Sequence, residues 1–503
     1  MLVKTFAGAV QGVDAQTITI EVSTGGAVGL TDKPGVFIVG LPDKSVSEGN
    51  FRMDAALKNS NIRLPRLKTI VNFAPADIRK EGSAYDLPMT IGMLAASGVI
   101  PEDNLDRYFI MGELSLDGGL RPIKGALSIA IQARKEKFKG FILPKANARE
   151  AAIVNDLDIF GVETLREAID VLAGTSDLQP IVVNTREEFA NNLDRYDVDF
   201  ADVRGQENIK RALELAAAGG HNVILIGPPG AGKTMLARRL PTILPPLTLQ
   251  EALETTKIHS VAGVLADHAS LVTQRPFRAP HHTISDVALV GGGSNPMPGE
   301  ISLAHNGVLF LDELPEFKRT ALEVMRQPME ERRVTISRAK VSVEYPASFM
   351  LIASMNPCPC GYYNHPEKDC VCGPGVVKRY VSKISGPLLD RIDLHVEVTP
   401  VSYDELTTTE KPKLASAEIR ERVLRAREVQ ERRFQDLKEV YFNAQMPSRM
   451  VREVCQLQPQ GLQLLKTAME RLQLSARAYD RILKVARTAA DMAGSADIRI
   501  EDL

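Results

Sequence analysis

Eight consecutive residues, Gly227 to Thr234 (GPPGAGKT), combine glycine-rich turns with a lysine and a hydroxyl, the residue types that could wrap and neutralise a chain of phosphates. They follow the apolar run Asn222 to Ile226 and open a stretch of helical periodicity, the strand-loop-helix context that such chemistry requires. Gly227, Pro228, Pro229, Gly230, Ala231 and Gly232 can turn backbone amides toward a phosphate. The helix N-terminus adds the positive end of its dipole, Lys233 can reach the β- and γ-phosphates of ATP, and the Thr234 hydroxyl can ligate Mg²⁺. About 80 residues downstream, GVLFLDELPEF reads as a buried strand that ends in Asp312 and Glu313. An isolated Asp-Glu pair is usually a solvated strand end. After a phosphate loop, Asp312 suits the Mg²⁺ shell and Glu313 suits polarisation of an attacking water.

A third apolar run, FMLIASMNP, ends in Asn356, whose amide could orient that water. GPLLDRIDL offers Arg391 and LSARAYDRILKVAR offers Arg477, although an arginine near a helix end is most often a surface cation. Four of the five cysteines crowd into NPCPCGYYNHPEKDCVC. Cys358, Cys360, Cys370 and Cys372 form two Cys-X-Cys pairs, and two close pairs bridged by a short loop can supply a tetrahedral thiolate set for zinc. Free reduced thiols are the alternative. His365 could replace one ligand or be an exposed loop histidine. Four protein ligands would leave no open position, so the expected role is a staple rather than catalysis. Tyr362, Tyr363, Lys378, Arg379 and Tyr380 nearby are suited to stacking on bases and pairing with phosphates, or simply to a rigid insert.

The chain that must position these groups has 503 residues, too long for one hydrophobic core, and roughly three or four domains are expected. With 44% hydrophobic and 25% charged residues, neither a disordered chain nor a fibre is indicated. A net charge of -2 gives no global attraction to a polyanion, so any such partner must be held by local basic patches. No stretch approaches the ~20 apolar residues that span a bilayer, and the expected location is cytoplasmic, away from membranes.

The periodicities predict an α/β multidomain protein. Residues 1–172 alternate strand-like runs (TITIEVS, GVFIVGLP, KTIVNFAP, GFILPK) with helical ones. Residues 173–200 are polar and weakly periodic, as in a linker. A second α/β domain is expected over 201–402, with the cysteine-rich insert at 358–372, and an all-helical lid over 403–503.

In this order, the phosphate loop, carboxylates, asparagine and arginines resemble the AAA+ superfamily over about residues 200–503. GEISLAHNGVLFLDEL and ERRVTISRAKVSVEYPASFMLIASMNP look like the clade of magnesium chelatase ATPase subunits and MCM helicases, whose inserted loops face the channel of a ring. The corresponding segments here are RPFRAPHHTISDVALVGGGSNP, with Arg275 and Arg278, and the hairpin with Arg332, Arg333, Arg338 and Lys340. The resemblance implies that Arg391 reaches a neighbouring subunit's γ-phosphate, that Arg477 senses nucleotide from the lid, and that Arg338 and Lys340 contact nucleic acid. The first domain is similar to the proteolytic domain of Lon, but Ala84 stands at the nucleophile position and Leu127 at the lysine position. Ser83 and Lys124 could form a dyad only if the alignment slipped.

The whole chain resembles the YifB/ComM family of magnesium-chelatase-like ATPases. That resemblance implies a hexameric ATP-driven DNA helicase or translocase, using ATP and Mg²⁺ and promoting branch migration in recombination or natural transformation. A chelatase-type ATPase that remodels a protein partner is the alternative, and an ATP-dependent protease is disfavoured by the missing serine and lysine.

Overall fold

The computed structural model describes residues 1–25, 35–65, 67–192, 196–265, 269–293, 295–337, 342–363, 365, 367–401, 415–437 and 440–503. It divides into two compact units, residues 1–191 with 249–273, and residues 192–248 with 274–503. The helix Leu249–Ala262, within the stretch read from the sequence as 201–402, joins the first unit. There the Gly125 amide donates to the Ser260 carbonyl at 3.1 Å, and the Ser260 hydroxyl donates to Glu150.

The first unit is built on a seven-stranded sheet. Its order is Gly35–Val39, Lys68–Ala74, Asp14–Thr24, Leu2–Gln11, Tyr108–Ile110, Gly140–Pro144, Asp158–Val162. The first two strands of the chain form a hairpin whose pairing runs out to Gln11 and Asp14, so its turn has only two residues. Gly12, at φ 68°, supplies the positive dihedral that such a turn demands. Helices cover both faces. Thr5 donates to Pro88 of Asp86–Ala96, while Gly8, three residues along the same strand and hence on the opposite face, lies under Ile129 of Ala126–Lys135. A Cβ on Gly92 would come within 2.7 Å of Val22 Cγ2, so the absence of a side chain sets how closely the first helix sits on the sheet. All eleven residues of that helix are buried.

The second unit has a five-stranded parallel sheet in the order Phe277–Arg278, Val308–Leu311, Met350–Met355, Val223–Ile226, Leu394–Glu397. Buried on both faces, parallel strands read as continuous apolar runs, which is why VILI, VLFL and MLIASM could be recognised in the sequence. Val223–Ile226 pairs on one side with a late strand and on the other with the last, so the chain order reverses around it. Ligands characteristically bind beyond the carboxyl ends of strands at such a point. The C-terminal helices Ser416–Phe434, Ser448–Val454, Pro459–Leu472 and Ala476–Met492 enclose a smaller core that includes Phe434, Val451, Leu465, Leu483 and Ala486. Asp491 there is buried and receives Arg433, Arg487 and Asn443.

Candidate nucleotide site

The register of the parallel sheet assembles the site. Ile226 lies opposite Met355, so the loop that starts at Gly227 emerges beside Asn356. Leu311 lies opposite Ala353, which sets Asp312 beside Ser354. Gly230 and Gly232 take φ values of 78° and 84°, left-handed positions that glycine occupies without strain, and Lys233 starts the helix Lys233–Arg239. A Cβ on Gly227 would stand 2.3 Å from the Val398 carbonyl, so this turn can be made only by glycine.

A cavity of about 430 Å³ opens here, lined by residues 229–235 and by Asp312, Glu313, Ser354, Met355 and Asn356. The buried Lys233 ammonium donates to the carbonyls of Gly227 at 2.7 Å and Pro228 at 2.9 Å, and to Asn356 Oδ1 at 3.1 Å. Burial pushes its pKa down, an effect opposed by the charges of Asp312 and Glu313. Thr234 donates to Asp312 Oδ2 at 2.7 Å, Ser354 donates to Oδ1, and the Glu313 amide also reaches Oδ1 at 3.0 Å. A hydroxyl and a carboxylate oriented together in this way form a hard-oxygen donor set that could hold Mg²⁺. Glu313 is exposed, takes φ 53°, and lies 3.3 Å from His282 Nδ1. His282 and Ser354 escaped the sequence reading. The His-His pair in RPFRAPHHTIS was the one available signal for the first, and nothing marked the second.

Arg391 and Arg477 are not in this cavity. Both line a second one in the same unit, of about 320 Å³, with Glu330, Asp390, Arg481 and Lys484. Its lining shares no residue with the first. Arg391 is mostly buried, paired with Glu330 and donating to the Pro387 carbonyl, whereas Arg477 is exposed and stands 4.0 Å from Asp390. Arg477 was expected to sense nucleotide from the lid, yet it lies with Arg391 rather than at its own chain's phosphate loop.

The basic segments divide. Arg338 and Lys340 lie outside the described residues, in the sequence between the paired strands Arg333–Ser337 and Ser342–Pro346. Arg333 is shared between Glu331 and Glu344. Arg275 and Arg278 are both engaged within the chain: Arg275 donates to the carbonyls of Pro245, Pro246 and Asn306, and Arg278 forms two bonds of 2.6 Å with Glu300. Tyr380 is buried and leaves the stacking set, while Tyr363 stays exposed and Tyr362 carries Lys368 over its ring at 4.9 Å.

Cys358, Cys360, Cys370 and Cys372 come together with all four sulfurs within 4.8 Å of one another, and the set could hold a metal ion. His365 instead accepts the Glu367 and Lys368 amides at Nδ1. In the first unit Leu127 is fully buried, Ser83 donates to Glu113, and Lys124 lies against Gly263. Among the described residues no hydrogen bond joins Ser83 to Lys124.

Three family models for the magnesium chelatase subunit ChlI match residues 27–147, 199–406 and, for its C-terminal part, 413–503. The competence protein ComM of Haemophilus influenzae is 42% identical over 98% of this chain and 94% of its own length. The chain belongs to the YifB/ComM family of magnesium-chelatase-like proteins. YifB of Escherichia coli is 43% identical over 96% of this chain and 91% of its own. A shorter match, 31% identical over 29% of this chain, is to Lon protease 2 of Bacillus subtilis. Family membership implies ATP and Mg²⁺ as cofactors and an AAA+ type ATPase module in the second unit. No helix among the described residues is long and apolar enough to cross a membrane.

Proposed function

We propose that the protein is an ATP-hydrolysing AAA+ ring motor that moves on DNA, a helicase or translocase promoting branch migration in recombination or natural transformation, in the cytoplasm. The observation that carries this reading is the separation of the two cavities. Lys233, Thr234, Asp312, Glu313 and Asn356 converge on one, while Arg391 and Arg477 line another that shares none of its residues. Lys233 and a bound Mg²⁺ would leave the first cavity without the arginine that speeds phosphoryl transfer, so a complete site is made when a neighbouring copy presents one, as in a closed ring, which we take to be a hexamer.

In that site the loop amides and Lys233 bind phosphate oxygens, Thr234 and Asp312 hold Mg²⁺, and Glu313 takes the proton of a water that Asn356 orients. Magnesium supplies charge neutralisation when bound. The similarity to the competence protein ComM supports DNA as the track, with Arg338 and Lys340 as phosphate contacts. The four thiols belong to the same reading as a structural zinc site. The chelatase models favour the second reading, remodelling of a protein partner. ATP hydrolysis measured with and without single-stranded and branched DNA, beside unwinding of a four-way junction, separates the two. Stimulation and unwinding are expected, and neither occurring with any DNA would sink the DNA reading in favour of the protein partner.

A further inference from the structure

Residues 356–373 run between the strand Met350–Met355 and the helix Pro374–Val381 with no helix or strand among those described. Loops longer than about 12–15 residues without secondary structure of their own are uncommon in compact domains unless they have a function. Ordering one costs backbone entropy at every residue. Buried apolar side chains do little to offset that here: among the described residues of the segment only Cys358 is a buried hydrophobic one. Something else must hold the loop.

The sulfurs supply it. Cys358 Sγ lies 3.3 Å from Cys360 Sγ and 3.7 Å from Cys370 Sγ, and Cys360 to Cys370 is 3.6 Å. All are free thiols. A tetrahedron of sulfurs around zinc, with bonds of about 2.3 Å, has edges of about 3.8 Å. Four soft thiolates in that shape suit Zn²⁺, and with every position filled by protein the ion is structural rather than catalytic.

Its position gives the ion a further task. Cys358 follows Asn356 by two residues, and Asn356 Oδ1 accepts from Lys233 in the phosphate cavity. Gly361, at φ 87°, turns the loop so that a Cβ there would meet Pro229 Cδ at 2.4 Å. The cysteine knot is thus joined to the cavity twice, along the chain to Asn356 and by packing to the phosphate loop. We propose that these four cysteines bind one zinc ion per chain, and that this zinc knot is a brace that fixes Asn356 against the phosphate loop. The cysteines are positioning residues that act through Asn356. The proposal rests on the reading of this cavity as an ATPase site.

The test uses the full-length protein. Elemental analysis is expected to give about one zinc per chain, and growth on cobalt to give the absorption of a tetrahedral cobalt-thiolate centre. Cys372→Ser should lose the metal and lower kcat for ATP by about 10- to 100-fold, with a smaller change in KM, because Lys233 and Thr234 are untouched. Cys372→His, which still offers a fourth ligand, should restore metal and kcat together. Gly361→Ala keeps all four ligands while pushing on Pro229, and should retain zinc with reduced kcat. It remains informative even if Cys372→Ser fails to fold. A native preparation without zinc, or with iron in its place, overturns the metal assignment. A zinc-free Cys372→Ser or zinc-loaded Gly361→Ala with wild-type kcat overturns the brace. A wild-type chain that binds zinc but never hydrolyses ATP fails the ATPase reading and removes the brace with it. Loss of DNA stimulation alone touches neither result.

Discussion

His282 Nδ1 stands 3.3 Å from Glu313 Oε2, so the carboxylate beyond the strand Val308–Leu311 has a partner from a loop some thirty residues earlier in the chain. Glu313 holds a left-handed backbone position and its side chain meets His282, whereas Asp312 is occupied with Thr234 and Ser354. Two adjacent carboxylates therefore meet two different environments, one set among hydroxyl donors and one beside an imidazole. Glu313→Gln should bind ATP normally and lower turnover by about 10²- to 10⁴-fold, the range of a lost general base. His282→Ala should lower turnover by roughly tenfold or less, because the carboxylate stays in place. Nucleotide binding and phosphate release measured on both variants check this. Near wild-type hydrolysis by Glu313→Gln would remove it as the base.

Lys233→Ala takes away a different quantity. Its ammonium now rests on the Gly227 and Pro228 carbonyls and on Asn356, neutral partners that a phosphate would outbid in charge. Hydrogen bonds to charged groups contribute about 1.5–3 kcal/mol, so ATP affinity should fall by roughly 10- to 100-fold. Equilibrium titration with a fluorescent nucleotide is the measurement, and unchanged affinity would contradict the site.

The phosphate loop, Asp312, Glu313 and Asn356 were legible in the sequence because each follows an apolar run, and parallel pairing carries the ends of those runs to one edge of the sheet. What could not be read depends on partners far away in the chain. Arg275 and Arg278 looked like free cations on a basic loop, but three carbonyls and Glu300 claim them. Tyr380 carries the same aromatic ring whether buried or stacked, and only the fold decides. The contact of Gly361 with Pro229 joins loops more than 130 residues apart, and a glycine in a cysteine-rich turn gives no hint of it. The alternating runs of the first domain showed its class readily, whereas the attachment of the helix Leu249–Ala262 to that unit runs through Ser260, whose role no periodicity marks.

That attachment makes the first unit sensitive to pH. Burial pushes the Glu150 pKa above its ordinary value near 4.5, even though Ser260, the Leu127 amide and Asn147 all donate to it. A carboxyl whose folded pKa exceeds its unfolded one contributes stability that is complete below the unfolded value and is lost as pH rises through the folded one. The stability of the wild-type relative to Glu150→Gln should therefore decline as pH rises above about 4.5. Thermal unfolding of both proteins across that range is the check. A difference independent of pH would show that the carboxyl titrates normally.

Arg391 tests the need for a second copy. In its own chain it is held by Glu330 and the Pro387 carbonyl in a cavity apart from the phosphate loop. If a neighbour's nucleotide is its target, Arg391→Ala should bind ATP and lose on the order of 10³-fold in turnover. Mixing Arg391→Ala with Lys233→Ala should recover part of the activity, since a ring of both can form sites with an intact loop on one side and an intact arginine on the other. Mixed assemblies no more active than the variants alone would place the arginine's role within its own chain.

The hairpin tip separates a motor on DNA from a motor on protein. Its strands Arg333–Ser337 and Ser342–Pro346 turn Val334, Ile336, Val343 and Tyr345 inward and leave Thr335, Ser337, Ser342 and Glu344 exposed, so the stem is anchored, and Arg338 and Lys340 fall in the sequence between the two strands. Arg333 on the stem already pairs with Glu331 and Glu344, so the DNA reading assigns its phosphate contacts to Arg338 and Lys340, which lie outside the described residues. Each phosphate neutralised releases counterions, and the logarithm of affinity falls with the logarithm of salt by about 0.7 per contact on single strands. Removing both cations should therefore make the salt dependence shallower by about 1.4 in that slope, and should weaken binding to all sequences alike. Arg338→Ala combined with Lys340→Ala should also abolish the DNA-stimulated part of ATP hydrolysis and the unwinding of a forked substrate. Titrations of single-stranded DNA at several salt concentrations measure the slope. A double variant with the wild-type slope and wild-type stimulation would exclude the hairpin as the DNA contact and leave the track to be sought on another surface.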